Sequence, residues 1–221
     1  MDEKVDILDP RGEKTGRAVW KSEAHRLGLW HRCFHCWIVS PGEPSDVEVY
    51  DAEALSGEPY LFVQRRASGK ETWPDRLDVT VAGHLEAGEE TLDGLREVEE
   101  ELGLLVSSEE LLPLGTRKVE AEIPAGLDRE FHDVFLLVRS LRPEDLRLQE
   151  GEVAAVARLR LDDAKTLDEG RSILVEEWKD GKKSTVSVGL SDFVPVGDGY
   201  LTRIARAARQ VLAGGRPGNL F

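Results

Sequence analysis

Three glutamates, Glu97, Glu100 and Glu101, lie close together in a segment whose apolar residues recur at helical spacing. At 100° per residue, their carboxylates fall within roughly one 100° arc of the helix, opposite the apolar stripe. Like charges this close weaken a helix, and Arg96 is the only cation in the segment. A glycine-punctuated loop at residues 83–89 precedes the acids. The pattern indicates an all-oxygen site for a hard divalent cation, and a merely solvated acidic face is the alternative.

The spacing of these acids resembles the signature of the Nudix superfamily, G-x5-E-x7-R-E-U-x-E-E-x-G-U, in which U is a bulky aliphatic residue. The matching residues are Gly83, Glu89, Arg96, Glu97, Val98, Glu100, Glu101, Gly103 and Leu104. Six residues separate Glu89 from Arg96, where the signature has seven. The loop half of the motif is therefore one residue short, whereas the helical half is intact.

This resemblance implies a role for each residue of the motif. Glu97 and Glu101 are expected to be the main Mg²⁺ ligands, together with the backbone carbonyl of Ala82. Glu100 is expected to serve a further metal ion or to help activate water. Arg96 is expected to hold the glutamates by ion pairing, and the loop glutamate is expected to pair with it. Mg²⁺, or Mn²⁺ as an alternative, would bridge the phosphates and lower the pKa of an attacking water.

Segments outside the motif resemble the branch of the superfamily that contains isopentenyl-diphosphate isomerases and their hydrolase relatives. The likeness is carried by residues 28–35, 61–66, 73–74, 78–84 and 149–153, with Lys70 and Glu130. The isomerases need a cysteine at the position of Ala82, whereas His84 is kept and His31 matches a metal-site histidine. Alanine cannot move a proton at a substrate carbon, which favours hydrolysis over isomerisation.

Polar side chains near the motif are candidate ligands for a diphosphate substrate. The expected substrate-binding residues are Arg32, Arg65, Lys70, His84 and Glu130. Arg65 and Arg66 adjoin on a predicted strand, so only one of them can face the site. Glu152 is expected to add a carboxylate to the metal site. A plain surface cation or a hydrogen-bonded histidine is the alternative in each case.

The strands and helices predicted around these residues indicate an α+β fold, a Nudix-type α/β/α sandwich with a mixed β-sheet. Hydrophobic alternation and turn residues predict an N-terminal β-hairpin at 5–19, strands at 31–40, 60–65, 78–82, 117–122, 131–138 and 153–161, and a hairpin around 179–182. Helices are predicted at 91–102, 162–170 and 201–213, with Thr91 as an N-cap. Residues 22–29 are expected to connect, 41–59 to form a surface loop, and the tail after 214 to fray.

We expect one domain over residues 1–221. It would comprise an N-terminal hairpin extension at 1–30, the Nudix core at 31–161 and a C-terminal helical and hairpin appendage at 162–221. The net charge of −14 argues against a nucleic-acid polymer as partner, and no apolar run reaches the length of a membrane span. We expect a cytoplasmic protein with two reduced thiols, Cys33 and Cys36, and a possible homodimer contact at the hairpin.

Together these features predict a Mg²⁺-dependent hydrolase that cleaves a diphosphate linkage in a nucleoside diphosphate derivative or a related small diphosphate. Two alternatives stay open: a non-hydrolytic enzyme similar to isopentenyl-diphosphate isomerase, and a catalytically weak ligand-binding Nudix module. The shortened loop is the best support for the second alternative. The identity of the substrate and its leaving group is not specified by the sequence.

Overall fold

The computed structural model describes residues 2–44 and 55–221 of the 221-residue chain. The strands are β1 (Lys4–Leu8), β2 (Lys14–Trp20), β3 (Trp30–Ser40), β4 (Glu43–Pro44), β5 (Leu55–Ser56), β6 (Tyr60–Arg66), β7 (Leu77–Asp78), β8 (Val81–His84), β9 (Leu111–Ile123), β10 (Gly126–Val138), β11 (Val153–Arg160), β12 (Ile173–Lys179) and β13 (Lys182–Val188). The α-helices are α1 (Lys21–Leu27), α2 (Arg96–Leu102), α3 (Asp163–Asp168) and α4 (Tyr200–Leu212).

A mixed β-sheet organises these elements. Its main path runs β13-β12-β11-β6-β3-β1-β2, and the long hairpin of β9 and β10 joins it through β3. Strand β10 pairs with β3 in parallel, from Arg129 opposite Trp30 to Val138 opposite Val39. Strand β8 pairs antiparallel with the first half of β3. Strand β3 is therefore the central strand of the sheet, and it pairs with β1, β6, β8 and β10.

Helices cover both faces of the sheet. Successive side chains of a strand point to opposite faces, so Phe34 and Ile38 of β3 face α2, where they join a core with Val98. Trp37 lies on the opposite face, in a core that α3 and α4 complete with residues such as Ile204. This arrangement confirms the predicted α+β fold with a mixed sheet.

Two local expectations were wrong. Residues 22–29, expected to connect, contain α1, whose seven residues bury only Ala24 and His25 and so give too short an apolar pattern to recognise. The single strand expected at 78–82 is instead two short strands, β7 and β8. The predicted surface loop at 41–59 has its middle, residues 45–54, outside the described residues. The part of the chain that the structure describes contains no helix long and apolar enough to cross a membrane.

The C-terminal tail is docked, not frayed as its composition suggested. The backbone N–H of Leu220 donates to the carbonyl of Leu114 at 2.8 Å, and the ring of Phe221 packs 5.6 Å from that of Tyr200. Gly115 has φ +112°, and a Cβ there would overlap the side chain of Asn219. The tail thus stabilises β9 and α4 from outside the sheet.

Candidate functional site

A cleft of about 1130 Å³ lies beside the N-terminal half of β3. Its floor consists of side chains from adjacent strands that share a face: Ala82 lies beside His35, and His84 beside Cys33. Glu130 of β10 continues the floor. The acidic edge of α2 and the loop at residues 67–76 contribute to the walls. The sheet register therefore brings residues from five or more distant segments into one concave surface.

The Nudix-like motif forms a helix that begins as a 3₁₀ turn. Residues Thr91–Leu95 are 3₁₀, α2 follows, and Gly103 ends it with φ 69°. Five residues of 3₁₀ helix are about 10 Å long, whereas five residues of α-helix are about 7.5 Å long. The gain in length is larger than the rise of about 1.5 Å that the missing residue would add to an α-helix. Thr91 is not the N-cap, which is Glu90. The Thr91 hydroxyl instead donates to Asp133 at 2.6 Å.

Arg96 is the centre of an ion-pair network. Its Nε donates to Glu89 at 2.9 Å, and its Nη1 donates to Glu97 at 2.6 Å and lies 3.4 Å from Glu100. Its Nη2 donates to the carbonyl of His84 at 3.1 Å. The hydrogen bond to Glu89 is the main reason that the pKa of Arg96 is raised. The expected pairing with the loop glutamate is thus formed in spite of the short loop.

Glu97 is a partly buried carboxylate that is ion-paired with Arg96, and Glu101 is an almost fully buried one. Burial, together with repulsion from Glu100, outweighs the lowering effect of Arg96 and raises the pKa of Glu97 to about 7. Burial and repulsion from Glu97 raise the pKa of Glu101 to about 8, although Gln64 Nε2 donates to it at 3.1 Å. A Cβ on Gly83 would overlap the Glu97 carboxyl, so only glycine lets that carboxyl reach the backbone next to Ala82. This donor set fits a hard divalent cation.

A second group of metal-binding side chains lies in the same cleft. One ligand atom from each of His25, His31, His84 and Glu130 lies within 4.8 Å of the others. The Nε2 atoms of the three histidines are buried, and those of His84 and His31 lie 3.1 and 3.5 Å from the Glu130 carboxylate. Asp128 borders the group, with its Oδ1 3.5 Å from His25 Nε2. Imidazole and carboxylate donors in this arrangement fit a transition-metal ion.

Neighbouring groups fix the orientation of these histidines. His31 Nδ1 lies 3.0 Å from the carbonyl of Leu29 and must donate to it, which leaves the Nε2 lone pair directed into the group. His84 Nδ1 lies 3.4 Å from the Glu3 carboxylate, which is also bonded to Lys21 at 2.6 Å. Burial lowers the pKa of His25 to about 4 and also lowers that of His84, whereas for His31 burial is outweighed by the Glu130 carboxylate, which raises the pKa. The neutral, oriented imidazole is the form that binds metal ions.

The structure brings most of the predicted site residues together. Those that line the cleft are Ala82, His84, Arg96, Glu97, Glu100, Glu101, Glu130, Glu152 and Lys70. Lys70 is bound to Glu152, so these two expected ligands neutralise each other. Glu130 accepts from His132 at 2.6 Å and from Cys33 at 3.0 Å.

Two predicted substrate-binding arginines lie outside the cleft. Arg32 points to the other face of β3, where it donates to both carboxylate oxygens of Asp133, at 3.0 and 2.8 Å. Arg65 donates to Glu177 at 2.6 Å. Arg66, the alternative on the same strand, lines the cleft and donates to Asp78 at 2.9 Å. Adjacent side chains of a strand point to opposite faces, so only one of the two arginines can face the cleft, and in the structure it is Arg66.

Several residues of the cleft were missed from the sequence. They are Glu3, His25, Asp128 and His132. A signal was present: residues that could bind a metal ion recur at every second position of two strands, at 31, 33 and 35 and again at 128, 130 and 132. Such alternation marks one polar face on a buried strand. Cys33 shares this face, whereas Cys36 points into the core, and both thiols are free.

An acidic helix and a mixed sheet together line a cleft with carboxylates and histidines, which are side chains that could hold metal ions. A sequence model of the NUDIX domain matches residues 47–178. An uncharacterized Nudix hydrolase of Clostridium acetobutylicum is 32% identical over 213 residues, which cover 93% of this chain and 97% of that protein. The chain belongs to the Nudix family.

Other similarities place the chain near one branch of that family. An isopentenyl-diphosphate Delta-isomerase of Clavibacter sepedonicus is 32% identical over 149 residues, covering 67% of this chain and 70% of that protein. A crystal structure of a Deinococcus radiodurans protein superposes with a TM-score of 0.53 at 18% identity, covering 76% of this chain and 91% of that one. The first similarity agrees with the resemblance found in the sequence, and the second shows the shared fold.

Proposed function

We propose that this chain is a Mg²⁺-dependent hydrolase that cleaves a diphosphate linkage in a nucleoside diphosphate derivative or a related small diphosphate. The observation that carries the proposal is the pair of carboxylates on one edge of α2 in an open cleft, of which Glu101 is buried and Glu97 is partly buried. Burial, together with repulsion from neighbouring carboxylates, raises the pKa values of both groups, and a bound cation would favour their charged forms. Membership of the Nudix family supports hydrolysis in general.

Different residues of the cleft would bind the metal ion, position its ligands and bind the substrate. Glu97, Glu101 and the carbonyl of Ala82 would hold Mg²⁺ or Mn²⁺, with Glu100 at the exposed side. When bound, the cation offsets the charge of the diphosphate and acidifies a coordinated water. Arg96 holds the glutamates in position through its ion pairs. Arg66 lines the cleft wall, where its guanidinium, although paired with Asp78, would also donate hydrogen bonds to an anion that a chain of net charge −14 otherwise repels.

A substrate panel tests this proposal. Nucleoside di- and triphosphates, nucleotide sugars and isoprenoid diphosphates would be incubated with Mg²⁺ in ¹⁸O-labelled water, and the products identified by mass spectrometry. We expect ¹⁸O in one phosphate product, and a loss of roughly 10²–10³-fold in Glu97→Gln. Glu99→Gln is the matched control, because Glu99 is exposed on the same helix. Full activity in Glu97→Gln would contradict the proposal, and Mg²⁺ binding without turnover of any compound would favour a ligand-binding module.

The histidine group favours a second candidate function, isomerisation of an isoprenoid diphosphate. It would hold a transition-metal ion through His25, His31, His84 and Glu130, and relatives named isopentenyl-diphosphate isomerase match two thirds of the chain. Against it, Ala82 offers no group that could protonate a carbon. Conversion of isopentenyl diphosphate without uptake of solvent oxygen, followed by ¹H NMR, would establish this function in place of hydrolysis.

We further propose that the protein acts in the cytoplasm and pairs with a second copy through its N-terminal hairpin. Strand β2 lies at the end of the sheet path and is exposed at six of its seven residues. An exposed edge strand is suited to pairing with another chain. Light scattering coupled to gel filtration would report the mass, and a monomer at all concentrations would contradict the pairing.

A further inference from the structure

The loop that leads into the helix of the Nudix motif is bound along its length by the N-terminal hairpin of β1 and β2. The backbone N–H of Ala87 donates to the carbonyl of Lys4 at 2.7 Å. The backbone N–H of Gly88 donates to the Asp6 carboxylate at 3.1 Å, across 82 positions of the sequence. Two residues of one strand, spaced by two, therefore fix two successive residues of the loop.

Lys14, the first residue of β2, fixes the next two residues of the loop. Its ammonium group donates to the carbonyl of Glu89 and to the carboxylate of Glu90, at 2.9 Å in each case. It also lies 3.3 Å from the Asp6 carboxylate, so the loop is held by an ion pair whose two halves bind adjacent residues. The Asp6 and Lys14 side chains are 25% and 41% exposed, and partial burial of this kind limits screening by salt.

The turn of the hairpin is anchored to the sheet, which makes the hairpin a fixed support. Arg32 of β3 donates to the carbonyl of Gly12 in this turn at 2.9 Å, and its other amino group donates to Asp133. Asp133 also accepts from the hydroxyl of Thr91, the first residue of the 3₁₀ turn, at 2.6 Å. The hairpin is thus connected to the loop and to the start of the helix that follows it.

Glu89 connects the hairpin to the carboxylates of the metal site. Its carbonyl is bound to Lys14, and its carboxylate accepts from Arg96 Nε at 2.9 Å. Arg96 in turn donates to Glu97 at 2.6 Å. Displacement of the Glu89 backbone would therefore move the arginine that orients a proposed ligand, and loss of such orientation weakens metal binding.

We propose that Lys14 is a positioning residue of the metal site and that it acts on this site through Glu89 and Arg96. The inference rests on the proposed function in one respect, because it takes Glu97 to be a Mg²⁺ ligand. The expected effect of losing Lys14 is opposite in sign to that of charge alone. Removal of a positive charge near the site would strengthen the binding of a cation, whereas loss of positioning would weaken it.

Calorimetric titration of the metal-free full chain with Mg²⁺ tests this role. Lys14→Met removes the charge and the hydrogen-bond donors but keeps most of the side-chain length, and Lys14→Arg keeps charge and donors. Arg17→Met is the matched control, because Arg17 is an exposed cation of the same strand that pairs with Glu23. Lys14→Met should weaken Mg²⁺ binding about three- to tenfold, less than the ~10–100-fold of a direct partner of a ligand. Lys14→Arg and Arg17→Met should bind Mg²⁺ as the wild-type protein does.

Thermal unfolding in EDTA separates positioning from stability. Lys14→Met should lower the Tm by no more than about 3 °C, as expected for one partly exposed ion pair. In a Glu89→Ala background, which already interrupts the path to Arg96, Lys14→Met should have no further effect on Mg²⁺ binding. A further loss in that background, a larger fall in Tm, no recovery in Lys14→Arg, or unchanged or tighter Mg²⁺ binding in Lys14→Met would overturn the positioning role.

The same measurements separate the positioning role from hydrolysis. Mg²⁺ binding that is weakened in Lys14→Met, in a protein that turns over no diphosphate, would refute hydrolysis and leave the positioning role standing. Turnover together with Mg²⁺ binding that is insensitive to Lys14 would do the reverse. A wild-type protein that does not bind Mg²⁺ would contradict both.

Discussion

Replacing Glu101 by glutamine should make the metal-free protein more stable at alkaline pH while abolishing its response to Mg²⁺. Glu101 is 3% exposed, and Gln64 Nε2 donates to it at 3.1 Å. Burial, followed by repulsion from Glu97, raises its pKa from 4.5 to about 8. The folded chain therefore keeps a proton at Glu101 under conditions in which the unfolded chain has lost it.

The sign of the effect follows from proton linkage. A carboxyl whose pKa is raised by folding contributes its full stability below pH 4.5 and loses that contribution as the pH rises towards about 8. The difference corresponds to at most ~5 kcal/mol when ionisation is complete. Water in the open cleft relaxes part of this penalty, so we expect glutamine to recover about 1–3 kcal/mol at pH 8.5. For a chain of this length that is a rise of roughly 3–9 °C in Tm.

Scanning calorimetry in EDTA from pH 5 to pH 8.5, and then with Mg²⁺, measures both parts of this prediction. At pH 5 the variant and the wild-type protein should unfold at similar temperatures. At pH 8.5 Mg²⁺ should raise the Tm of the wild-type protein and not that of Glu101→Gln. Glu99→Gln, on the exposed side of α2, should behave as the wild-type protein does. A variant that is less stable than the wild type at pH 8.5 without metal, or that Mg²⁺ still stabilises, would refute this reasoning.

Gly83→Ala should fold but lose at least about tenfold in Mg²⁺ affinity by calorimetry, because its methyl group would displace the Glu97 carboxyl; unchanged affinity would contradict this. Glu3→Gln should weaken Mn²⁺ binding at the histidine group roughly 10–100-fold, because Glu3 orients His84, and electron paramagnetic resonance of free Mn²⁺ measures it. Arg66→Gln should raise KM for a diphosphate substrate more than it lowers kcat, since ground-state charge is lost; an unchanged KM would exclude this role.

The helical half of the site could be predicted from the sequence because its geometry is local. Glu97 and Glu101 lie one helical turn apart, and Arg96 reaches Glu97 and Glu100 on the same helix. Helical periodicity alone places such residues on one edge. The short loop was harder to interpret, since only the structure shows that a 3₁₀ turn compensates for the missing residue before Arg96. That turn keeps Glu89 within reach of the arginine.

The strand-borne half could not be predicted in the same way, because it depends on register between distant segments. Arg65 and Arg66 show the difficulty: the first five residues of β6 are buried on both faces, so no exposed side reveals which arginine faces the cleft. The expectation that Arg32 on β3 lies in the cleft was wrong for the same reason. Glu130 reaches His31 only because β10 pairs in parallel with β3, and two strands separated by about a hundred positions carry no local sign of that pairing.

The two metal-binding groups are linked through β8 and Arg96, and this connection explains how one sheet can serve different reactions in relatives. Two residues on one face of β8 connect the groups: Ala82 and His84. The carbonyl of Ala82 is expected to bind the cation held by Glu97 and Glu101, and His84 belongs to the histidine group. Arg96 binds both the His84 carbonyl and the Glu97 carboxylate. Because the backbone supplies the shared geometry, the side chain at position 82 can change the chemistry without moving either group. An alanine at position 82 leaves the carboxylates that could hold cations in place but puts no thiol there to protonate carbon, which is the residue-level reason to favour hydrolysis.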